Sequence, residues 1–259
     1  MNGVLPQDYK DQVVWIIGAS SGIGEALAKD IARRGGKLAL SARRAEVLQA
    51  LTEDLEGGDH FIAPLDVADP EAVADGFSAI TGHFGRLDRV VFMAAVYSPH
   101  DGQPKDLAFI HDMLAVNLGG AFNMLDVVRP YFEAQGSGQI ALCGSVAGYR
   151  GLPFGQPYCA GKAALISLAE SLRIELKPTG VDVKVINPGF VKTPLTDKND
   201  FPMPMMIEAE VAGRAIAKGL LRRGFEVHFP KRFTFLMKTL RILPAPVYFW
   251  LMNQIAHKL

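Results

Sequence analysis

Short apolar runs alternate with amphipathic stretches along most of the chain. Residues 13–18 are rich in β-branched side chains and end at a glycine, which is typical of a buried strand. Residues 22–34 carry apolar side chains at a spacing of four, which predicts a helix with one buried face. The same reasoning predicts strands at 37–41, 60–65, 89–93, 139–144, 182–187 and 226–228, and helices at 45–55, 70–84, 107–132, 158–176 and 211–222.

This order of elements predicts an α/β fold with about seven strands. Strands that alternate with helices form a parallel sheet covered by helices on both faces, which is the doubly wound arrangement. The sequence contains no internal repeat and no evident linker, so we expect residues 1–259 to form one domain. Residues 230–259 are expected to form a helical C-terminal extension.

The turn after the first predicted strand has the spacing G-x-x-x-G-x-G and includes two serines. Glycines allow a tight turn, and the N-terminus of the next helix directs N–H groups and a positive dipole end towards an anion. We expect the residues of this turn to bind the phosphates of a dinucleotide: Gly18, Ser20, Ser21, Gly22, Ile23 and Gly24.

The end of the second predicted strand indicates which dinucleotide binds. An acidic residue here would accept hydrogen bonds from the ribose 2′-hydroxyl and repel a 2′-phosphate. The chain instead carries Arg43 and Arg44. Because arginine binds phosphate through two parallel hydrogen bonds, these residues favour NADP(H) over NAD(H).

Tyr158 and Lys162 are the strongest candidates for catalysis. They are four residues apart in a predicted helix and therefore lie on one face. A neighbouring ammonium is expected to lower the pKa of a phenol from about 10, so that it exchanges a proton with a carbonyl or alcohol oxygen. Ser145 stands at the end of a predicted strand, thirteen residues before Tyr158, and Asn117 lies inside a predicted helix.

The glycine spacing, the Y-x-x-x-K pair 140 residues after Gly18, and Ser145 together resemble the short-chain dehydrogenase/reductase family over about residues 13–196. The resemblance implies a Rossmann-type fold, a nicotinamide cofactor, and catalysis by Asn117, Ser145, Tyr158 and Lys162. Ser145 would bind the substrate oxygen, Lys162 would also hold the nicotinamide ribose, and Asn117 would kink its helix and bind a water of a proton relay.

The resemblance also implies further cofactor contacts beyond the glycine turn. Asp66 would contact the adenine ring, and Thr193 would hydrogen-bond the nicotinamide carboxamide. The remaining expected contacts are Val67, Ala94, Ala95, Asn117, Tyr158, Lys162, Pro188, Gly189 and Val191.

The end of the fourth predicted strand departs from the family pattern. Where the family has N-N-A-G, this chain reads M-A-A-V over residues 93–96. Val96 replaces a glycine, so it disfavours a positive φ and adds bulk near the cofactor. We therefore expect only the backbone around Ala94 and Ala95 to contact the cofactor.

Composition excludes several other classes of function. Lys plus Arg equals Asp plus Glu at 27 each, which gives no basic surplus for nucleic acid. Cys143 and Cys159 are too few for a disulfide framework, and no metal site is expected. Residues 1–10 are polar and do not resemble a signal peptide, so we expect a cytoplasmic protein.

The last quarter of the chain contains two unusual segments. Residues 195–206 are rich in Pro, Met and Asp, and we expect them to form a lid over the substrate. In residues 230–259, a helical pattern predicts one face with Phe233, Leu236, Met237 and Leu240 and an opposite face with Lys231, Thr234, Lys238 and Arg241.

Pro244 and Pro246 are expected to break that helix before the apolar residues 247–255. Three interpretations of 230–259 remain open. The segment packs on the core or on another subunit, forms a wall of the substrate pocket, or lies on a membrane surface.

These features predict an NADP(H)-dependent oxidoreductase that reduces a carbonyl, or oxidises the matching alcohol, of a lipophilic small molecule. A cofactor-bound regulatory or scaffold protein on the same fold is the alternative. A third hypothesis is another reaction at the same site, such as epimerisation or dehydration. The resemblance implies a homodimer or homotetramer that assembles through the long helices carrying Asn117 and Tyr158.

Overall fold

The computed structural model describes residues 8–98 and 106–256. Expectations for residues 1–7, including most of the polar N-terminus, lie outside the described residues. The same holds for residues 99–105 and for the last three residues of the C-terminal extension.

The strands of the described residues are β1 Val13–Ile17, β2 Lys37–Ser41, β3 His60–Ile62, β4 Arg89–Phe92, β5 Gly138–Cys143, β6 Val181–Pro188, β7 Val191–Lys192, β8 Ile207–Glu208 and β9 Glu226–Phe229. Seven of them, all parallel, form the central sheet in the order β3-β2-β1-β4-β5-β6-β9. The chain order reverses between β1 and β4, so the carboxyl ends of these strands flank the crevice where such sheets bind ligands. The predicted doubly wound, Rossmann-type sheet is confirmed.

Helices cover both faces of the sheet. Leu27 of α1 and Ile216 of α7 belong to the core on one face, and Val128 of α5 and Leu165 of α6 belong to the core on the other. The helices are α1 Gly22–Arg33, α2 Ala45–Glu53, α3 Pro70–Phe84, α4 Leu107–Leu114, α5 Gly120–Gln135, α6 Tyr158–Glu175, α7 Ala209–Leu220, α8 Lys231–Ile242 and α9 Ala245–Ala256.

The structure adds detail at two places near the sheet's carboxyl edge. The helix predicted at 107–132 is confirmed as α4 and α5, which are joined by a π-helical turn over Ala115–Gly119 that contains Asn117. A two-stranded sheet of β7 Val191–Lys192 and β8 Ile207–Glu208 was not predicted, since two residues are too short to show a pattern. This small sheet joins the two ends of the expected lid.

The N-terminal edge of the sheet carries a buried polar cluster. The guanidinium of Arg89, which is buried, donates to Gln12 Oε1 at 2.7 Å and to Gln139 Oε1 at 2.6 Å. Gln139 Nε2 in turn donates to Asp182 Oδ2 at 2.6 Å. The guanidinium and both glutamine oxygens are therefore paired within the protein, whereas Gln12 Nε2 is buried without a partner.

Helix α8 differs from its predicted faces. Phe233 and Met237 are buried as expected, but Leu236 is exposed and Thr234 is fully buried. Thr234 tolerates burial because its hydroxyl donates to the Pro230 carbonyl at 3.1 Å and also lies 2.6 Å from His228 Nδ1. The core-packing interpretation therefore holds for part of α8.

Pro244 lies between α8 and α9, as the predicted helix break requires, whereas Pro246 is accommodated in the first turn of α9. Across the two described stretches of chain, none of the helices combines the length and the apolar character needed to cross a lipid bilayer.

Candidate active site

A cavity of about 670 Å³ opens at the carboxyl ends of the strands. It is large enough for an extended small ligand. With the exception of Asn117, every residue that the sequence nominated lines this cavity. They are Gly18, Ser20, Ser21, Gly22, Ile23, Gly24, Arg43, Arg44, Asp66, Val67, Ala94, Ala95, Ser145, Tyr158, Lys162, Pro188, Gly189, Val191 and Thr193.

The glycine turn between β1 and α1 is packed too closely for side chains. Gly18 has a φ of +96°, and a Cβ on it would lie 2.6 Å from the Ala94 nitrogen. A Cβ on Gly24 would lie 2.1 Å from the Gly18 carbonyl oxygen. The turn therefore presents bare backbone to the cavity at the N-terminus of α1, which fits the phosphates of a dinucleotide.

Arg43 and Arg44 are exposed at the mouth of the same cavity. Arg44 Nη2 donates to Ser20 Oγ at 3.4 Å, which joins the end of β2 to the glycine turn. Asp66 accepts a 3.0 Å hydrogen bond from the Ala68 N–H, so its carboxylate also stabilises the turn after β3. Two cations and one carboxylate thus stand where the ends of the second and third strands meet the cavity.

Tyr158 is the first residue of α6, and Ser145 is a neighbouring side chain that acts on its hydroxyl. Burial raises the pKa of Tyr158 well above its ordinary value, and Ser145 offsets only part of that rise. Ser145 Oγ is positioned by the Ala147 N–H, which donates to it at 3.1 Å.

Lys162 lies one helical turn after Tyr158 and is almost fully buried. Its Nζ donates to the Cys143 carbonyl at 2.7 Å and stands 5.6 Å from the centroid of the Tyr158 ring. Burial lowers the pKa of Lys162. The expected lowering of the Tyr158 pKa by Lys162 is therefore not seen in this arrangement, where burial dominates both groups.

Asn117 lies in the π-helical turn, buried directly behind the cavity wall. Its Oδ1 accepts from the Val96 N–H at 2.6 Å, and its Nδ2 donates to the Val96 carbonyl at 2.9 Å. Three non-glycine residues have a positive φ in the described part of the chain, and Val96 is not among them. The valine at this family glycine position is thus accommodated in ordinary backbone that Asn117 fixes.

Sequence reasoning missed Tyr97. Its ring packs edge-on against Tyr158 with centroids 5.0 Å apart, and its hydroxyl donates to Asn199 Oδ1 at 2.9 Å. Tyr97 therefore connects the end of β4 to the expected lid. The departure from the family pattern at 93–96 was the only sequence signal near it.

The start of the expected lid is held to β7. Thr196 Oγ1 donates to the Val191 carbonyl at 2.6 Å and accepts from the Thr193 N–H at 3.0 Å. Described residues 230–256 do not line the cavity, so the pocket-wall interpretation of the tail is not supported. Phe233 instead packs behind the cavity wall, its ring centroid 5.3 Å from that of Phe190.

Comparison with known proteins agrees with this geometry. Residues 12–202 match the family model described as short chain dehydrogenase. The chain is similar to an uncharacterised oxidoreductase of Myxococcus xanthus, with 35% identity over 235 residues, which is 90% of this chain and 93% of that protein.

Among solved structures, that of levodione reductase has a TM-score of 0.79 and 25% identity, covering 88% of this chain and 99% of that one. A 3-ketoacyl-(acyl-carrier-protein) reductase from Brucella melitensis complexed with NADH has a TM-score of 0.77 and 23% identity, covering 85% and 98%. At this identity the second structure supports the fold alone. The chain belongs to the short-chain dehydrogenase family of oxidoreductases, whose members use nicotinamide cofactors.

Proposed function

We propose that this protein is an NADP(H)-dependent oxidoreductase that reduces a carbonyl group, or oxidises the matching alcohol, of a lipophilic small molecule. One observation carries the proposal: Tyr158, Ser145 and Lys162 line the same cavity as the glycine turn and Arg43. The alternative, a cofactor-bound regulatory or scaffold protein, gives no reason for Ser145, Tyr158 and Lys162 to meet inside that cavity.

Cofactor choice follows from the charges at the cavity mouth. Arg43 and Arg44 would bind the 2′-phosphate that distinguishes NADP(H) from NAD(H), while the glycine turn would bind the pyrophosphate. Asp66 would contact the adenine, and Thr193 the carboxamide. When bound, the cofactor supplies or accepts the hydride.

Tyr158 would donate the proton during carbonyl reduction. Because burial raises its pKa, the phenol stays protonated at neutral pH, which is the form a proton donor needs. Ser145 would hydrogen-bond the substrate oxygen and stabilise the negative charge that develops there. The reverse reaction requires the deprotonated phenol, so the geometry favours reduction near neutrality and oxidation at alkaline pH.

Lys162 and Asn117 would support this centre in different ways. The Cys143 carbonyl holds the Lys162 ammonium inside the cavity wall, where it would reach the ribose hydroxyls of the nicotinamide nucleotide. Asn117 fixes the backbone of Val96, a residue that lines the cavity. We therefore propose Asn117 as a positioning residue.

The substrate would bind beside Tyr158 and under the lid formed by residues 195–206. Val96, Val116 and Leu195 give this cavity apolar walls, which favours a lipophilic ketone. The similar solved structure is named a reductase of levodione, which supports carbonyl reduction as the reaction class.

We expect the protein to assemble as a homodimer or homotetramer through α5 and α6. Proteins of this family are generally oligomeric. Phe122 on α5 and Ile174 on α6 are exposed, and a groove lined by Leu125, Arg129 and Leu168 runs between the two helices. Exposed apolar side chains beside such a groove suit a protein interface.

A cofactor titration tests the proposal. NADPH should bind more tightly than NADH, and the double substitution Arg43→Ala/Arg44→Ala should weaken NADPH binding roughly ten- to a hundredfold, because charge-assisted hydrogen bonds are lost. NADH affinity should change little.

The control variant is Arg214→Ala/Arg223→Ala, which removes two exposed arginines that do not line the cavity. It should bind both cofactors as the wild type does. Tighter binding of NADH by the wild type would overturn the assignment of Arg43 and Arg44.

A further inference from the structure

Helix α9 presents an apolar outer face. Tyr248 and Met252 are buried, whereas Phe249 is 61% and Trp250 65% exposed, with Val247 exposed beside them. Of the fourteen large apolar side chains that are exposed in the described residues, seven lie in α8 and α9. Such a concentration marks an interaction surface, because large exposed apolar residues are normally scattered.

This helix is firmly anchored to the catalytic part of the molecule. The Tyr248 hydroxyl donates to the Gly151 carbonyl. The Arg150 guanidinium lies 3.8 Å from the Tyr248 ring centroid and donates to the carbonyls of Leu240 at 2.9 Å and Leu243 at 2.7 Å. The exposed aromatic residues are therefore displayed on a fixed helix.

The charge of the same segment is one-sided. Residues 230–259 contain five of the chain's 27 lysines and arginines and none of its 27 aspartates and glutamates. Lys231 and Arg232 are exposed at the start of α8, whereas Lys238 is paired with Glu226 and Arg241 with Glu170. The rest of the chain is net negative, so this segment concentrates the positive charge.

Together these features identify a partner that is anionic and apolar at once. A second copy bound symmetrically would bring the same cationic segment against itself, which is electrostatically unfavourable. A bilayer interface with anionic lipids matches both properties, since aromatic side chains enter the headgroup region and cations remain among the headgroups.

We propose that the tail surface, defined as Lys231, Arg232, Phe235, Ile242, Phe249 and Trp250, docks on the surface of an anionic lipid bilayer. The helices lie on the bilayer and do not cross it. Docking places the catalytic domain at a lipid surface. It does not depend on the proposed reaction, because none of these residues lines the cavity.

Flotation of the full-length protein with phospholipid vesicles tests this docking. Binding should be at least fivefold stronger to vesicles of phosphatidylcholine with 30% phosphatidylserine (roughly the charge of an anionic leaflet) than to pure phosphatidylcholine, and should fall at high salt. Phe249→Gln/Trp250→Gln should reduce binding about tenfold, because two apolar side chains no longer leave water.

A matched control is Leu107→Gln/Val211→Gln, which removes two exposed apolar side chains from α4 and α7. It should bind vesicles as the wild type does. Lys231→Glu/Arg232→Glu should lose about tenfold or more on anionic vesicles, by reversing two charges. All these positions are exposed, so the melting temperature should stay close to that of the wild type and separate docking from folding.

Three results would overturn the proposal. The first is a wild type that anionic vesicles do not retain. The second is a Phe249→Gln/Trp250→Gln variant that binds these vesicles as strongly as the control does. The third is a protein interface, for which sedimentation without lipid would show an oligomer that only this variant dissociates, while the wild type does not bind vesicles.

Discussion

The two edges of the central sheet both carry buried polar residues, but the residues have different surroundings. At the N-terminal edge, Arg89 and Gln139 bond to other protein groups in a closed cluster. At the carboxyl edge, the buried Ser145 and Lys162 line a cavity together with the half-buried Tyr158. A buried polar residue thus indicates chemistry only where it also faces a space that a ligand can fill. Substitutions at one edge should alter catalysis, and those at the other should alter stability.

The largest effect is expected at Tyr158. Tyr158→Phe removes the proton donor and should lower turnover roughly a thousandfold, within the range for loss of general acid catalysis, with little change in NADPH affinity. Tyr97→Phe is the matched control, since it removes the neighbouring hydroxyl that donates to Asn199. Steady-state kinetics of both variants should show less than tenfold loss for the control. Comparable losses in the two variants would contradict the assignment of Tyr158 as the proton donor.

At the N-terminal edge, Arg89→Met should lower the free energy of unfolding by about 3–5 kcal/mol, because it leaves buried acceptors without their donor. Folded enzyme should keep its turnover at low temperature. Lys37→Met, at a cation paired with the half-exposed Asp59, should lower the free energy of unfolding far less, because water screens the charges of such a pair. Urea unfolding measures both. An Arg89 variant with full stability but impaired turnover would contradict the assignment of Arg89 to stability.

Asn117 tests the boundary between the two kinds of residue, because it is buried like Arg89 yet fixes a residue of the cavity wall. Asn117→Ala should lower kcat about tenfold, since the Val96 backbone loses two hydrogen bonds. Gln135→Ala, which removes a side-chain hydrogen bond to the Leu87 carbonyl away from the cavity, should change kcat less than threefold. If Asn117 were purely structural, thermal stability would fall while kcat and its pH profile stayed unchanged.

The smallest expected effect is on the pH profile. Reduction needs protonated Tyr158, and burial raises the pKa of that phenol, so kcat for reduction should stay flat through neutral pH and fall only at alkaline pH. Oxidation of the alcohol needs the deprotonated form and should rise with pH over the same range. A decline of the reductive kcat between slightly acidic and neutral pH would show that the phenol titrates lower than its burial implies.

Local sequence signals predict elements where those signals are complete. Helix α3 has the predicted bounds, because Asp69 caps its first turn by accepting from the Glu71 and Ala72 N–H groups, and Gly85 ends it with a φ of 70°. The apolar periodicity that predicts the helix continues through Ala115–Gly119 and does not reveal the π-helical turn there. The two hydrogen bonds between Asn117 and Val96 join residues 21 positions apart, which a local pattern cannot show.

The residues of the cavity likewise divide into those that sequence motifs predict and those that they do not. Motif spacing brought the glycine turn, Ser145, Tyr158 and Lys162 to one site, because strand ends of a parallel sheet meet at one edge. Tyr97 could not be found in this way, since its contacts join three segments remote in sequence. The burial of Thr234 in α8 could not be predicted either, because its hydrogen-bond partners are not revealed by periodicity.

The most direct test of the central claim is turnover with a panel of lipophilic ketones, following NADPH consumption and alcohol formation together. At least one ketone should be reduced with one NADPH consumed per alcohol formed, and NADH should support the same reaction much more slowly. Tight NADPH binding without reduction of any carbonyl in a broad panel would contradict the claim and favour the cofactor-bound scaffold.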